Sequence, residues 1–211
     1  MKRTQLLALA SIVVLLLPSP ATAQDDIETG IEVDFMSHYL WRGTKKGSIT
    51  MQPMARISWQ GASVGILGST GARAEDPEEI DLSVGYKWKA FNVGLTDYWQ
   101  TGLDYDGRDL YFYYDQHRSG HRLEANIGYT HELFSVQAYT MVLGNDFKYT
   151  SLLDQLDRTG GKRAFSTYAE VRVPFYFGGL DWDVTAGFTP FAGANSLEQI
   201  GQVSGYPLLQ K

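Results

Sequence analysis

Residues 79–89 read EIDLSVGYKWK, and in this stretch every second residue is apolar. Ile80, Leu82, Val84, Tyr86 and Trp88 fall on one side, while Glu79, Asp81, Ser83, Gly85, Lys87 and Lys89 fall on the other. A period of two is the signature of a β-strand with one apolar face. Working outward, the same alternation marks nine segments, at about 31–42, 50–60, 62–71, 79–89, 91–100, 121–130, 134–144, 164–177 and 180–190. The expected fold class is all-β.

The connections decide between all-β architectures. Gln60-Gly61, Ala90, His131-Glu132-Leu133 and Gly178-Gly179 are short enough for tight hairpins. The connections 43–49, 72–78, 101–120 and 145–163 are longer and carry glycine, proline and charge. Strict alternation of short and long connections predicts an up-and-down antiparallel transmembrane β-barrel with short periplasmic turns and long outer loops. The aromatics agree. Tyr39, Trp41, Trp59, Tyr86, Trp88, Trp99, Phe175 and Trp182 fall near strand ends, where a barrel places its lipid-interface girdles. Mid-strand positions on the same face hold small aliphatics such as Val64, Val84 and Val93. A soluble periplasmic β-sandwich also alternates, but it explains neither the loop lengths nor the aromatic ends.

The N-terminus supports export. Lys2 and Arg3 precede an apolar run from Leu6 to Leu17, and Pro18-Ser19-Pro20 and Ala21-Thr22-Ala23 follow. This is the pattern of a signal peptide, residues 1–23, cut before Gln24. A short periplasmic segment, 24–30, and the barrel, 31–211, complete the expected organisation. The expected location is the outer membrane of a Gram-negative bacterium. Removing residues 1–23 takes the formal charge from −6 to −8. An acidic chain argues against non-specific nucleic-acid binding. The absence of cysteine excludes disulfides, thiolate metal sites, a cysteine nucleophile and a lipoprotein anchor. No cofactor is expected, and no Walker or dinucleotide-binding glycine motif occurs. Nine strands do not close a barrel of even strand number. Residues 191–211 show little alternation, so either a weakly patterned tenth strand lies there or the reading frame is incomplete. The expectation is about 10–12 strands in the complete form.

If the apolar face meets lipid, the polar face lines a lumen. It would carry Glu32, Asp34, His38, Arg42, Arg56, Asp81, Lys87, Arg122, Glu124, Glu170, Arg172 and Asp183. These charges suit either a constriction that selects solutes or a packed interior of ion pairs. Arg42 suits a lipopolysaccharide phosphate, a lumenal acid or an ion-pair network. Open general porins have about sixteen strands or more, so a narrow passage is expected here.

Ser37-His38-Tyr39-Leu40-Trp41-Arg42-Gly43, followed by Gln52-Pro53, Gly68-Ser69, Asp97-Tyr98-Trp99 and His121-Arg122-Leu123-Glu124, resembles the TorF-like porin family, first known as conserved hypothetical outer-membrane proteins. The resemblance covers most of the mature chain, and the first motif carries most of it. It implies an outer-membrane barrel and passive transport of small solutes. It brings no catalytic residues. The chain departs from the family in its abrupt C-terminus.

Some outer-membrane barrels are lipid hydrolases or proteases with Ser/His/acid sets at the rim. Here His117, Ser119 and His121 share a long loop with Asp104, Asp106, Asp109 and Asp115. Ser37 and His38 are neighbours and point to opposite faces. The run Asp104-Tyr105-Asp106-Gly107-Arg108-Asp109 lacks the later glutamate of a calcium loop. Acids and histidines in a solvated loop ordinarily serve solubility. The expectation is therefore not an enzyme but a porin-like barrel, with a non-conducting structural or ligand-binding barrel as the alternative and a rim-active lipid hydrolase behind it. The expected partners are outer-membrane lipid and small solutes.

Overall fold

The computed structural model describes residues 27–103, 107, 109–149, 151–158, 161–190 and 208–209. The expected signal peptide, residues 104–106 and 108 of the acidic loop, and residues 191–207 lie outside these. In chain order the elements are β1 (Ile27–Met36), β2 (Tyr39–Trp41), β3 (Thr44–Gly47), β4 (Thr50–Trp59), β5 (Ala62–Gly71), β6 (Glu79–Trp88), β7 (Phe91–Gln100), β8 (His121–Thr130), β9 (Ser135–Gly144), β10 (Phe147–Lys148), the single-turn-and-a-half helix α1 (Leu152–Asp157), β11 (Lys162–Arg163), β12 (Thr167–Phe177), β13 (Leu180–Phe188) and β14 (Leu208–Leu209).

One antiparallel sheet dominates, in the order β1-β4-β5-β6-β7-β8-β9-β12-β13-β14. Strands β2–β3 and β10–β11 form separate two-stranded sheets inside long connections. Every strand of the main sheet pairs with its neighbour in sequence once those inserted pairs are set aside. Among the described residues no pairing joins β1 to the opposite edge. From β4 to β13 the main-sheet strands begin and end within three residues of the segments read from the alternation, while β10 and β11 lie inside the expected loop 145–163. Tight turns at Gln60-Gly61, Lys89 and Gly178-Gly179 use left-handed backbone. Gln60 and Gly61 take φ of 46° and 88° between β4 and β5, the signs of a type I′ turn.

The first expected strand is corrected. Segment 31–42 is not one strand: β1 ends at Met36, and residues 39–47 fold back as the β2–β3 hairpin. Trp41 pairs with Thr44 across a two-residue turn, and Arg42 and Gly43 take φ of 50° and 79° there.

Register fixes the faces. Val84 pairs with Val64 and Leu95, Leu95 with Ala125, and Val173 with Val184, which continues one apolar face across the sheet. That face is exposed: Ile31, Val33, Ile57, Val64, Leu82, Val84, Val93, Leu95, Ile127, Val171, Val173 and Val184 all lie open. The opposite, polar face is the packed one, and Thr50, Gln52, Ser69, Glu79, Gln100 and Glu124 are buried on it. This inverts the usual rule for a protein folded in water, where apolar groups are covered and acids are not. A sandwich requires a second sheet on the apolar face, and the described residues contain none.

Candidate functional site

The β2–β3 hairpin lies across the polar face. The Tyr39 hydroxyl donates to Glu79 Oε1 on β6 at 3.2 Å, and the Trp41 ring meets Tyr98 of β7 edge-on, with centroids 6.1 Å apart. Tyr39 and Trp41 therefore do not join an outward aromatic girdle. Alternation carried them in phase with the apolar positions of β1, but the break at Ser37-His38 turns the chain inward.

Arg42, at the tip of that hairpin, is the centre of the packing. Its Nη1 and Nη2 each donate to one Glu124 carboxylate oxygen on β8, both at 2.7 Å. The guanidinium carbon stands 4.3 Å from the Trp41 ring centroid, 4.4 Å from Tyr139 of β9 and 4.8 Å from Tyr168 of β12. Cation–π attraction and a planar bidentate pair favour arginine over lysine here. The Glu124 side chain is 2% exposed, and its Oε1 also accepts the Tyr98 hydroxyl at 3.1 Å. The Tyr139 hydroxyl donates to Glu170 on β12 at 3.3 Å. Gly187 on β13 makes room for Tyr168, since a Cβ there would overlap the Tyr168 hydroxyl. A bulge between Leu123 and Glu124 shifts the β8–β9 register and sets Glu124 opposite Met141.

Beside this box, the Lys46 ammonium stands 4.8 Å from the Trp41 ring centroid, and Arg122 reaches Gln100 at 3.4 Å. Asp81 Oδ1 and Arg122 Nε are buried without a hydrogen-bond partner. Toward the short turns the polar face opens. Glu32, opposite Met54, and Asp34, opposite Gln52 nearer the long loops, are exposed on the edge strand β1, and His38 in the bend after it; Arg56 and Lys87 are exposed toward the short turns. Arg172 makes a second bidentate pair there, with Asp183 on β13. Thus the register gathers eleven of the twelve charged candidates, all but His38, on the polar face or the hairpin lying on it. Among the described residues, Arg42–Glu124 and Arg172–Asp183 are the candidates directly paired with each other.

Alternation did not single out Tyr98, Tyr139 and Tyr168. Each is an aromatic at a polar-face position of its strand, and that phase mismatch is the signal that marks them.

The aromatics of the short-turn end, Trp59, Tyr86, Trp88 and Phe175, are exposed on the apolar face, and Trp182 stacks on Phe175 at 6.3 Å. Trp99 is a correction. It has the outward phase but is 1% exposed, because the loop after β7 folds over it. Tyr111 meets it edge-on at 5.4 Å, with Ile80 and Ile66 alongside. Burial pushes the Tyr111 phenol up to about 12, with Tyr114 and Asp97 adding to the shift.

His121 anchors that loop. Its Nδ1 faces the Asp97 carboxylate at 2.9 Å, its Nε2 faces the Tyr111 carbonyl at 2.5 Å, and Tyr114 stacks on the ring at 4.0 Å. Ser119 is buried, and its Oγ accepts the His121 backbone N–H rather than meeting the ring. His117 stacks on Phe147 at 3.9 Å. Both His121 nitrogens are engaged, so Ser119 and His121 do not assemble as a nucleophile and its base in this geometry. A second clasp joins two loops. The Asp76 carboxylate accepts the Ser48 hydroxyl, the Arg73 N–H at 3.0 Å and the Ser48 N–H at 3.0 Å. Those donors, the Ser48 hydroxyl first, hold its pKa below the usual carboxylate range.

Comparison with protein-family models, with curated proteins and with solved structures returns no match for this chain.

Proposed function

We propose that this chain is an outer-membrane β-barrel of the porin type, exported by residues 1–23, that gives small solutes passive passage through a narrow, charged lumen. The observation that carries the reading is the inverted burial. A continuous apolar face lies open from β1 to β13, while charge is packed on the other face. In water that arrangement leaves the apolar surface without cover. In a bilayer the same face meets a solvent of its own kind, and every polar backbone group is paired within a closed sheet. The reading requires the free edges of the sheet to be covered. The resemblance of the Ser37–Gly43 motif to TorF-like porins supports it.

The lumen of this reading is narrowed by the β2–β3 hairpin, which fills the long-loop half of the polar face. Conduction then follows the open half, past Arg56 and Lys87, with Glu32 at mid-strand and Asp34 on the edge strand β1 toward the long loops. Two measurements test this. The folded protein should migrate faster in a gel before boiling than after. In a planar bilayer it should give steady conductance whose ion preference moves toward cations in Arg56→Glu. Ordinary gel mobility from a soluble periplasmic fraction would sink the barrel. Insertion without conductance would leave a structural or ligand-binding barrel.

A further inference from the structure

The pocket around Arg42 is built by the main sheet and filled by a segment that is not part of it. Glu124 comes from β8, Tyr98 from β7, Tyr139 from β9 and Tyr168 from β12, whereas Arg42 arrives on the hairpin tip. The hairpin forms its own two-stranded sheet and shares no strand pairing with the main one. Among the described residues, its side-chain hydrogen bonds to the main sheet run through Tyr39, to Glu79 and Gln52, and Arg42, to Glu124. The walls are braced without it, because Tyr98 bonds Glu124 and Tyr139 bonds Glu170. A deeply buried carboxylate ringed by aromatic faces is the chemistry that recognises a planar organic cation. The tip is also strained. Arg42 holds φ 50° at a turn position that favours asparagine or glycine, so the backbone bends to deliver this particular side chain.

The geometry points to a guanidinium-binding site on the polar face, formed by Tyr98, Glu124, Tyr139 and Tyr168, with Arg42 as its tethered resident ligand. The occupant class is a guanidinium or alkylguanidinium solute, which competes with Arg42 for Glu124 and so frees the hairpin. Tethering gives Arg42 an effective concentration of roughly the millimolar scale, so a free cation at millimolar concentration displaces it in part and fills the site fully once Arg42 is removed. The inference deepens the porin reading and rests on it for the freed hairpin to widen a passage, but the binding itself does not depend on conductance.

The test uses the full chain folded in detergent micelles, with methylguanidinium as probe and N-methylurea as its neutral counterpart. Binding is followed by calorimetry and by tryptophan fluorescence. Arg42→Ala should bind methylguanidinium saturably, at least tenfold more tightly than the unaltered protein, and should ignore N-methylurea. Arg42→Ala combined with Glu124→Gln should lose the binding. Absence of binding in folded Arg42→Ala, or binding that survives Glu124→Gln, overturns the proposal. Should Arg42→Ala fail to regain the compact gel form, hydrogen exchange on the unaltered protein decides. Millimolar methylguanidinium, and not N-methylurea, should speed exchange of the β2–β3 amides, and no difference between the two overturns the site. Methylguanidinium binding in a protein that never conducts keeps this inference and removes the porin reading. Conductance without binding does the reverse.

Discussion

Two arginines in this chain each hold a carboxylate by two hydrogen bonds, at opposite ends of one sheet face: Arg42 through Nη1 and Nη2, Arg172 through Nε and Nη2. Arg42–Glu124 sits under the hairpin, with side chains 14% and 2% exposed. Arg172–Asp183 sits near the Gly178-Gly179 turn, 50% and 18% exposed. Both pairs are bidentate, but their surroundings differ. Water screens the second pair and solvates either partner if the other is lost. The first pair is walled by aromatic rings, and apart from the Tyr98 hydroxyl on Glu124 it has little access to other solvation. Geometry alone therefore does not rank them; access to water does.

The largest expected effect breaks the buried pair. Glu124→Ala strands the Arg42 guanidinium among Trp41, Tyr139 and Tyr168 and should cost about 3–5 kcal/mol. Arg172→Ala should cost about 1 kcal/mol or less. Urea titration of both variants in micelles compares them directly, and equal losses would mean that the box is wet. A middle-sized effect tests the wall. Gly187→Ala drives a methyl into the Tyr168 hydroxyl and should cost about 1–3 kcal/mol, while loosening the hairpin. Gly30→Ala, on the same face near the other end, meets nothing within 4 Å and should stay within about 0.5 kcal/mol. Matching values in the same titration would remove the distinction between a packed half and an open half.

The smallest effect lies in the loops. Asp76 has a folded-state pKa below its unfolded value, so its clasp on Ser48 and Arg73 stabilises fully above about pH 3.9. That contribution fades as pH falls through the depressed folded value. Protease cleavage within the 72–78 loop should rise only in strong acid, and Asp76→Asn should cleave faster at neutral pH and respond less to acid. An acid-induced rise that is unchanged in Asp76→Asn would assign the response to another group.

Much of the sheet is legible in the sequence because period two survives wherever the two faces meet different surroundings. From Thr50 to Phe188 the alternation locates each strand of the main sheet, and the face assignment of Asp81, Lys87, Arg122, Glu124, Glu170, Arg172 and Asp183 follows from it. The hairpin is not legible that way. Tyr39 and Trp41 stay in phase with Val33 and Phe35, so the pattern runs on through a fold-back that reverses its meaning. The local cue is Trp41-Arg42-Gly43-Thr44, a two-residue turn whose glycine allows the left-handed backbone, followed by Lys45 and Lys46. Trp99 fails for another reason. Its phase is correct, but phase says nothing about Tyr111, in the loop that follows, settling on it. The Arg42 box needs β8, β9 and β12 brought together, and no local pattern reports that.

The separation of Arg42 from Glu124, 82 residues along the chain, also has a kinetic consequence. Neighbouring strands can zip in order, each closing a short loop, but the hairpin has no seat until β8, β9 and β12 exist. A segment made among the first is therefore placed among the last, and the nascent sheet must keep that half of its face vacant while it assembles. Refolding should show a late fluorescence phase from Trp41 that Arg42→Ala lacks, and a single phase common to both would assign the docking to an early step.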